Sequence, residues 1–80
     1  MSQSPKLKHA LEAVWRAYEQ ASEANPPFHS AHEGLAVILE EFEELKAEVW
    51  KKGEVRDYDK MRTEAKHLAA MAIRFIVDVA

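Results

Sequence analysis

The chain has no cysteine, only two glycines and only three prolines in 80 residues. Without cysteine there is no disulfide framework and no thiolate metal site, and a cytoplasmic setting is the simpler expectation. No uncharged apolar run approaches the ~18 residues of a membrane span, and Met1-Ser2-Gln3-Ser4-Pro5-Lys6 carries no apolar stretch of the kind that drives secretion. Neither a membrane partner nor a secretory signal is therefore expected. Excess positive charge is also missing. Eleven Lys and Arg stand against fourteen Asp and Glu, for a formal net charge of −3, and the basic residues are dispersed. That balance argues against a nucleic-acid polymer as partner, whose phosphates demand a basic patch. It leaves room for a nucleotide if metal ions bridge the like charges.

What is present is helical periodicity. A first helix is expected over about 5–24, with Ser4 as N-cap and Pro5 in the first turn. Leu7, Leu11, Val14, Tyr18 and Ala21 form its apolar seam, and Asn25-Pro26-Pro27 stops it, since proline cannot continue the hydrogen-bond ladder. A second helix is expected over about 31–52. Ser30 and Glu33 have the spacing of a capping box, and Leu35, Ile38, Phe42, Leu45 and Val49 form a seam. Lys51-Lys52-Gly53 closes it, with cations at the negative end of the dipole and a glycine able to take the left-handed cap. A third helix is expected over about 57–79, with Asp57 as cap and Met61, Leu68, Phe75 and Val79 as seam, Ala65 and Ala72 alongside. The fold class is thus all-α: a single domain made of a three-helix antiparallel unit.

Eighty residues enclose only a thin core, and the second half of the third helix is apolar around its whole circumference except at Arg74 and Asp78. Two short helices cannot cover it. Ile73 and Val77 point roughly opposite Leu68, so the expected partner is a second copy of the chain, in a homodimer or homotetramer built through the third helix. Arg74, isolated among apolar residues, is expected to pair with Asp78 one turn on or with an acid of the partner.

Carboxylates concentrate at Glu40-Glu41-Phe42-Glu43-Glu44. At ~100° per residue, with Phe42 at zero, the seam of the second helix centres near about −20°. Glu41 then sits at the edge of the buried stripe, Glu44 and Glu48 just outside it, and Glu40, Glu33 and Glu43 further out. On the third helix, Glu64 falls beside Met71 on the flank of the core, with His67 further round. A lone carboxylate there costs several kcal/mol or shifts its pKa upward. It needs a partner, either a cation such as Lys60 or Lys8 or a metal shared with the acids of the second helix.

Glu41-x-x-Glu44, preceded by Glu40, with Glu64 some twenty residues later, resembles the all-α MazG-like nucleotide pyrophosphohydrolases, whose pattern is an E-E-x-x-E helix followed by a helix bearing E-x-x-D. The likeness spans roughly Ser30 to Asp78. It implies that Glu41, Glu44 and Glu64 bind Mg²⁺, with Mn²⁺ as a substitute, and that His67 stands in the fourth ligand position. It also implies that the metal holds a nucleoside triphosphate whose hydrolysis releases pyrophosphate and a monophosphate, with Glu40 or Glu44 as the base acting on water. Two features depart from the pattern. His67 occupies the place of the final Asp, and the given sequence ends on the third helix where a fourth is usual, so an oligomer is expected to complete the site.

Two other readings stand beside it. One is a non-enzymatic oligomeric helical module whose glutamates are a solvated surface. The other is a dimeric di-metal carboxylate bundle, because Glu64-x-x-His67 also has the ligand spacing of di-iron four-helix proteins. His29-x-x-His32 has metal-ligand spacing as well, but it straddles the start of the second helix, where histidines are usually solvated. Trp15 and Trp50 are expected to pack along the seams.

Overall fold

The computed structural model describes residues 4–51 and 56–80, and the described residues contain three α-helices and no strand: α1 (Pro5–Ala24), α2 (Ala31–Val49) and α3 (Tyr58–Asp78). Each start is fixed by a side chain that accepts from an otherwise unpaired amide. Ser4 Oγ accepts from Lys6 N at 3.2 Å, with Pro5 opening α1. Ser30 Oγ accepts from Glu33 N at 3.1 Å. In the usual reciprocal box the glutamate would return to the cap residue's own amide; here Glu33 Oε1 reaches one residue further, to His29 N at 2.7 Å. Asp57 Oδ1 accepts from Asp59 N and Lys60 N at the start of α3. The second helix stops at Val49, with the Trp50 amide donating to Lys46 O, short of the expected 52. The expected glycine cap at Gly53 lies outside the described residues.

α3 is the common wall of the fold. It packs against both α1 and α2, while α1 and α2 make no packing contact with one another among the described residues. Among the described residues the buried apolar side chains are few: Phe28 from the α1–α2 linker, and Ala70 and Met71 from α3. Ala17, Tyr18, Ala21, Val37, Ile38, Phe75 and Val79 pack around them.

The buried face of α2 differs from the apolar seam expected for it. Gly34, Val37, Ile38, Glu41, Leu45, Glu48 and Val49 are buried or half-buried, whereas Leu35 and Phe42 are exposed. At ~100° per residue that face is rotated by about 60° from the expected seam, which turns Glu41 from its edge to near its centre. Gly34 lies in this face. A Cβ built there would lie 2.6 Å from Phe75 Cδ2 and 3.1 Å from Phe28 Cδ2, so only glycine lets the helix approach the two rings this closely. On α1, Val14, Tyr18 and Ala21 are half-buried, but Leu7 and Leu11 are exposed, as are Ala65 and Ala72 of α3.

Apolar surface remains uncovered on every helix: Leu11 and Trp15 on α1, Leu35, Leu39 and Phe42 on α2, Ile73, Ile76 and Val77 on α3. Trp50 is exposed too, under Lys46 Nζ at 4.7 Å. Neither tryptophan fills a seam. The radius of gyration is 13.9 Å, against about 11.6 Å for a globule of this length.

The linker between α1 and α2 is clamped onto α3. Arg74, 3% exposed, donates through Nη2 to the Pro26 carbonyl at 2.7 Å and lies 4.5 Å from the Phe28 ring centroid. Its expected partner on the same helix, Asp78, lies at 3.8 Å and also accepts from the Phe28 amide at 3.1 Å. The two ions therefore serve backbone groups of residues 26 and 28 as well as each other.

Candidate metal centre and cleft

The rotated face of α2 brings Glu41 against α3. There Glu64 and His67, three residues apart and hence on one face of the helix, meet it. One ligand-capable atom from each of Glu41, Glu64 and His67 lies within 4.8 Å of the others. His67 Nδ1 stands 3.5 Å from Glu64 Oε1. All three side chains are half-buried.

The charges within the cluster are poorly compensated by protein groups. No Lys or Arg forms an ion pair with Glu41 or Glu64 among the described residues, so neither Lys8 nor Lys60 takes the place considered for it. Glu41 Oε2 and Glu64 Oε1 are buried oxygens without a hydrogen-bond partner. Two like charges at this separation repel by ~1 kcal/mol in bulk water and by ~3 kcal/mol at the effective dielectric of a protein surface. Burial pushes the Glu41 carboxyl above the usual carboxylate range. The hydrogen bond and charge of Glu44 push it further the same way, His67 opposes, and Glu64 adds a smaller upward push. A divalent cation is the group that would satisfy both orphaned oxygens and cancel this repulsion, and the donor set of two carboxylates and an imidazole fits one.

The remaining expected ligand and the expected bases fall around this centre. Glu44 is exposed and lies outside the converging trio, but is close enough to Glu41 to perturb it. Glu40 is also exposed, and it lines the cleft beside Glu41. His29 and His32 are exposed, and His29 Nδ1 contacts Glu33 Oε2 at 3.5 Å.

The cleft follows from the packing. Because α1 and α2 meet α3 but not each other, a gap stays open above α3. It has a volume of about 630 Å³, within the usual range for small-molecule sites. Gln20 and Ala21 of α1 and Asn25 to Phe28 of the linker form one side; Val37, Glu40 and Glu41 of α2 form the other. His67, Ala70, Met71 and Arg74 of α3 form the floor. Glu41 and His67 thus face both the cluster and the cleft, and a bound cation would have coordination positions open to whatever the cleft held.

Sequence reasoning did not place Phe28 in the core, nor Arg74 against the linker. The available signals were an aromatic residue following Pro26-Pro27 in a short linker and a lone arginine one turn before an aspartate in an apolar helix. No family model, no curated protein and no solved structure matches this chain.

Proposed function

We propose that the chain is a divalent-cation-dependent hydrolase that splits nucleoside triphosphates into pyrophosphate and a nucleoside monophosphate. One observation carries this reading. Glu41 of α2 and Glu64 and His67 of α3 converge with two orphaned buried oxygens at the wall of a nucleotide-sized cleft. The resemblance of Glu40-Glu41-x-x-Glu44 and Glu64 to the MazG-like pattern supports the reaction class.

Phosphoanhydride hydrolysis needs the phosphate charge neutralised, a water in line, and a base to take its proton. A divalent cation bound at this centre would supply the first, and Glu41, Glu64 and His67 would hold it. The water oxygen forms a bond to the α-phosphorus as the bond from that phosphorus to the bridging oxygen breaks, and pyrophosphate leaves with the electron pair. Glu40, facing the cleft, or Glu44, beside Glu41, accepts the proton of the water. The rest of the cleft, between Gln20 and Asn25 on one side and Val37 on the other, receives the nucleoside.

The working unit in this proposal is a homo-oligomer, dimeric or tetrameric through α3. Its support is area. The chain exposes 6276 Å², whereas a monomeric globule of its mass exposes about 4900 Å². The surplus of about 1300 Å² exceeds the ~800 Å² that each partner gives to a standard interface. The exposed apolar faces also favour the second reading, a non-enzymatic oligomeric module. A screen of canonical and modified nucleoside triphosphates for Mg²⁺- or Mn²⁺-dependent pyrophosphate release, with Glu41→Gln as control, separates the two. Release that Glu41→Gln abolishes supports the hydrolase. Absence of release from every nucleotide, at concentrations where the oligomer is intact, leaves the module.

A further inference from the structure

We infer that His67 makes this centre selective for a later first-row transition cation, in the series from Fe²⁺ to Zn²⁺, over Mg²⁺. The inference rests on the metal-dependent reading above and names the ion.

His67 is in the cluster by geometry and not merely by spacing in the sequence. An imidazole nitrogen lies within 4.8 Å of one carboxylate oxygen from Glu41 and one from Glu64, and Nδ1 is directed at Glu64 Oε1 from 3.5 Å. The trio therefore offers two oxygens and one nitrogen. Mg²⁺ favours an all-oxygen, near-octahedral shell and sheds water reluctantly, so an imidazole in place of a carboxylate costs it a favoured ligand and a neutralising charge. For Fe²⁺, Co²⁺, Ni²⁺ and Zn²⁺ imidazole is a good ligand, and the affinity of nitrogen-containing sites for these ions exceeds that for Mn²⁺, which behaves more like Mg²⁺.

The geometry also favours an ion satisfied by few protein ligands. Three side chains on two helices supply one face of a coordination shell, and the cleft leaves the other face open to water or phosphate. Two of the three side chains carry an orphaned buried oxygen, Glu41 Oε2 on α2 and Glu64 Oε1 on α3. No lysine or arginine forms an ion pair with either residue among the described residues. His67 is the only nitrogen in the trio, so the metal preference can be tested at one position.

The test uses the full chain with metal chloride alone and no nucleotide. Co²⁺ and Mg²⁺ affinities are measured by calorimetry, and the His67 imidazole is followed by NMR of ¹⁵N-histidine-labelled protein. Co²⁺ is expected to bind the wild type far more tightly than Mg²⁺ and to shift or broaden the His67 signals far more strongly than those of His9, His29 and His32. His67→Asp restores an all-oxygen set and should lower the Co²⁺-to-Mg²⁺ affinity ratio by at least the roughly 10- to 100-fold that loss of a mere supporting partner costs a metal site. His67→Gln should weaken Co²⁺ binding without strengthening Mg²⁺ binding, and helicity by circular dichroism establishes that both variants fold.

Equal affinities in the wild type, an unchanged ratio in His67→Asp, or Co²⁺ binding that leaves the His67 resonances untouched overturns the inference. Magnesium-dependent pyrophosphate release together with equal affinities removes the selectivity and leaves the hydrolase. Co²⁺ ligation by His67 without release from any nucleotide does the reverse. If neither ion binds, both readings fall.

Discussion

Arg74 Nη2 on α3 donates a 2.7 Å hydrogen bond to the carbonyl of Pro26, forty-eight positions earlier in the chain. Pro26, which stops α1, is thus held against the helix that carries Glu64 and His67. Replacing Arg74 with Ala leaves the Asp78 carboxylate, mostly buried, without its cation and the Pro26 carbonyl without its donor. Breaking a buried pair from one side typically costs about 3–5 kcal/mol. Urea denaturation of Arg74→Ala should show a loss of that order, and Arg74→Lys should recover little of it, since an ammonium cannot reproduce the planar guanidinium's stack on Phe28. Wild-type stability in Arg74→Ala would mean that the linker is held elsewhere.

Gly34→Ala tests the close approach of α2 to α3. In an exposed helix the change would gain about 1 kcal/mol of helix propensity. Here the added Cβ would stand 2.6 Å from a ring atom of Phe75, and overpacking costs about 1–3 kcal/mol. Packing wins, and the variant should be less stable by up to about 2 kcal/mol. A melting temperature above that of the wild type would show that the ring can swing away.

Glu41→Gln should stabilise the metal-free protein near neutral pH. The folded pKa of Glu41 lies above its unfolded value near 4.5, so the fold binds this proton more tightly than the unfolded chain does. The favourable contribution is fully present below the unfolded value and is lost as pH rises through the folded one. At pH 7 the charged form is the destabilised form, and glutamine relieves it. Because the side chain is only partly buried and solvent screens it, the gain is about 0.5 kcal/mol. The difference between variant and wild type should vanish below about pH 4.5, and with divalent cation added it should change sign, because the variant loses a ligand. Guanidinium melts at several pH values, with and without Mn²⁺, measure all three effects.

Glu33 runs the other way. The His29 amide, donating to its carboxylate, holds it below the usual range, so its contribution to the start of α2 is present above its unfolded pKa near 4.5 and lost as pH falls through the folded value. The protection factor of the His29 amide, its exchange rate corrected for the intrinsic pH dependence, should fall over that window in the wild type. In Glu33→Gln that fall should be absent.

Self-association is tested on the uncovered face of α3. Ile76→Glu places a charge among Ile73, Val77 and the apolar surface beside them, and sedimentation should show a smaller species than the wild type at equal concentration. A wild type that is already monomeric at micromolar concentration would remove the oligomer from the proposal.

The helix starts were legible because capping is local: Ser4, Ser30 and Asp57 act on amides two or three residues away. The face that α2 buries was not. A seam drawn through apolar residues counts Phe42 and Leu35 as core and gives Gly34 no weight, yet Gly34 lies in the buried face, with Phe28 of the preceding linker and Phe75 of α3 closing on it. The shift of that face explains why Glu41 appears marginal in sequence and near-central in the fold. Glu64 and His67 were legible as a pair because a single helix fixes them. The Arg74–Asp78 pair was legible for the same reason, whereas its hold on Pro26 and Phe28 depends on a chain path that periodicity does not describe.

The absence of packing between α1 and α2 also sets an order of assembly. Among the described residues α1 and α2 come within 8 Å of α3 but not of each other, Cα to Cα, so each finds its main helical partner only when α3 is in place. α2 and α3 are separated by a short linker and close at small entropic cost; α1 must close a loop that includes all of α2 before it reaches α3. The metal trio lies wholly within the pair that closes first, and the opposite bank of the cleft belongs to the helix that arrives last. Cation affinity should therefore survive fluctuations of α1, while retention of anything larger in the cleft should follow how tightly α1 is docked.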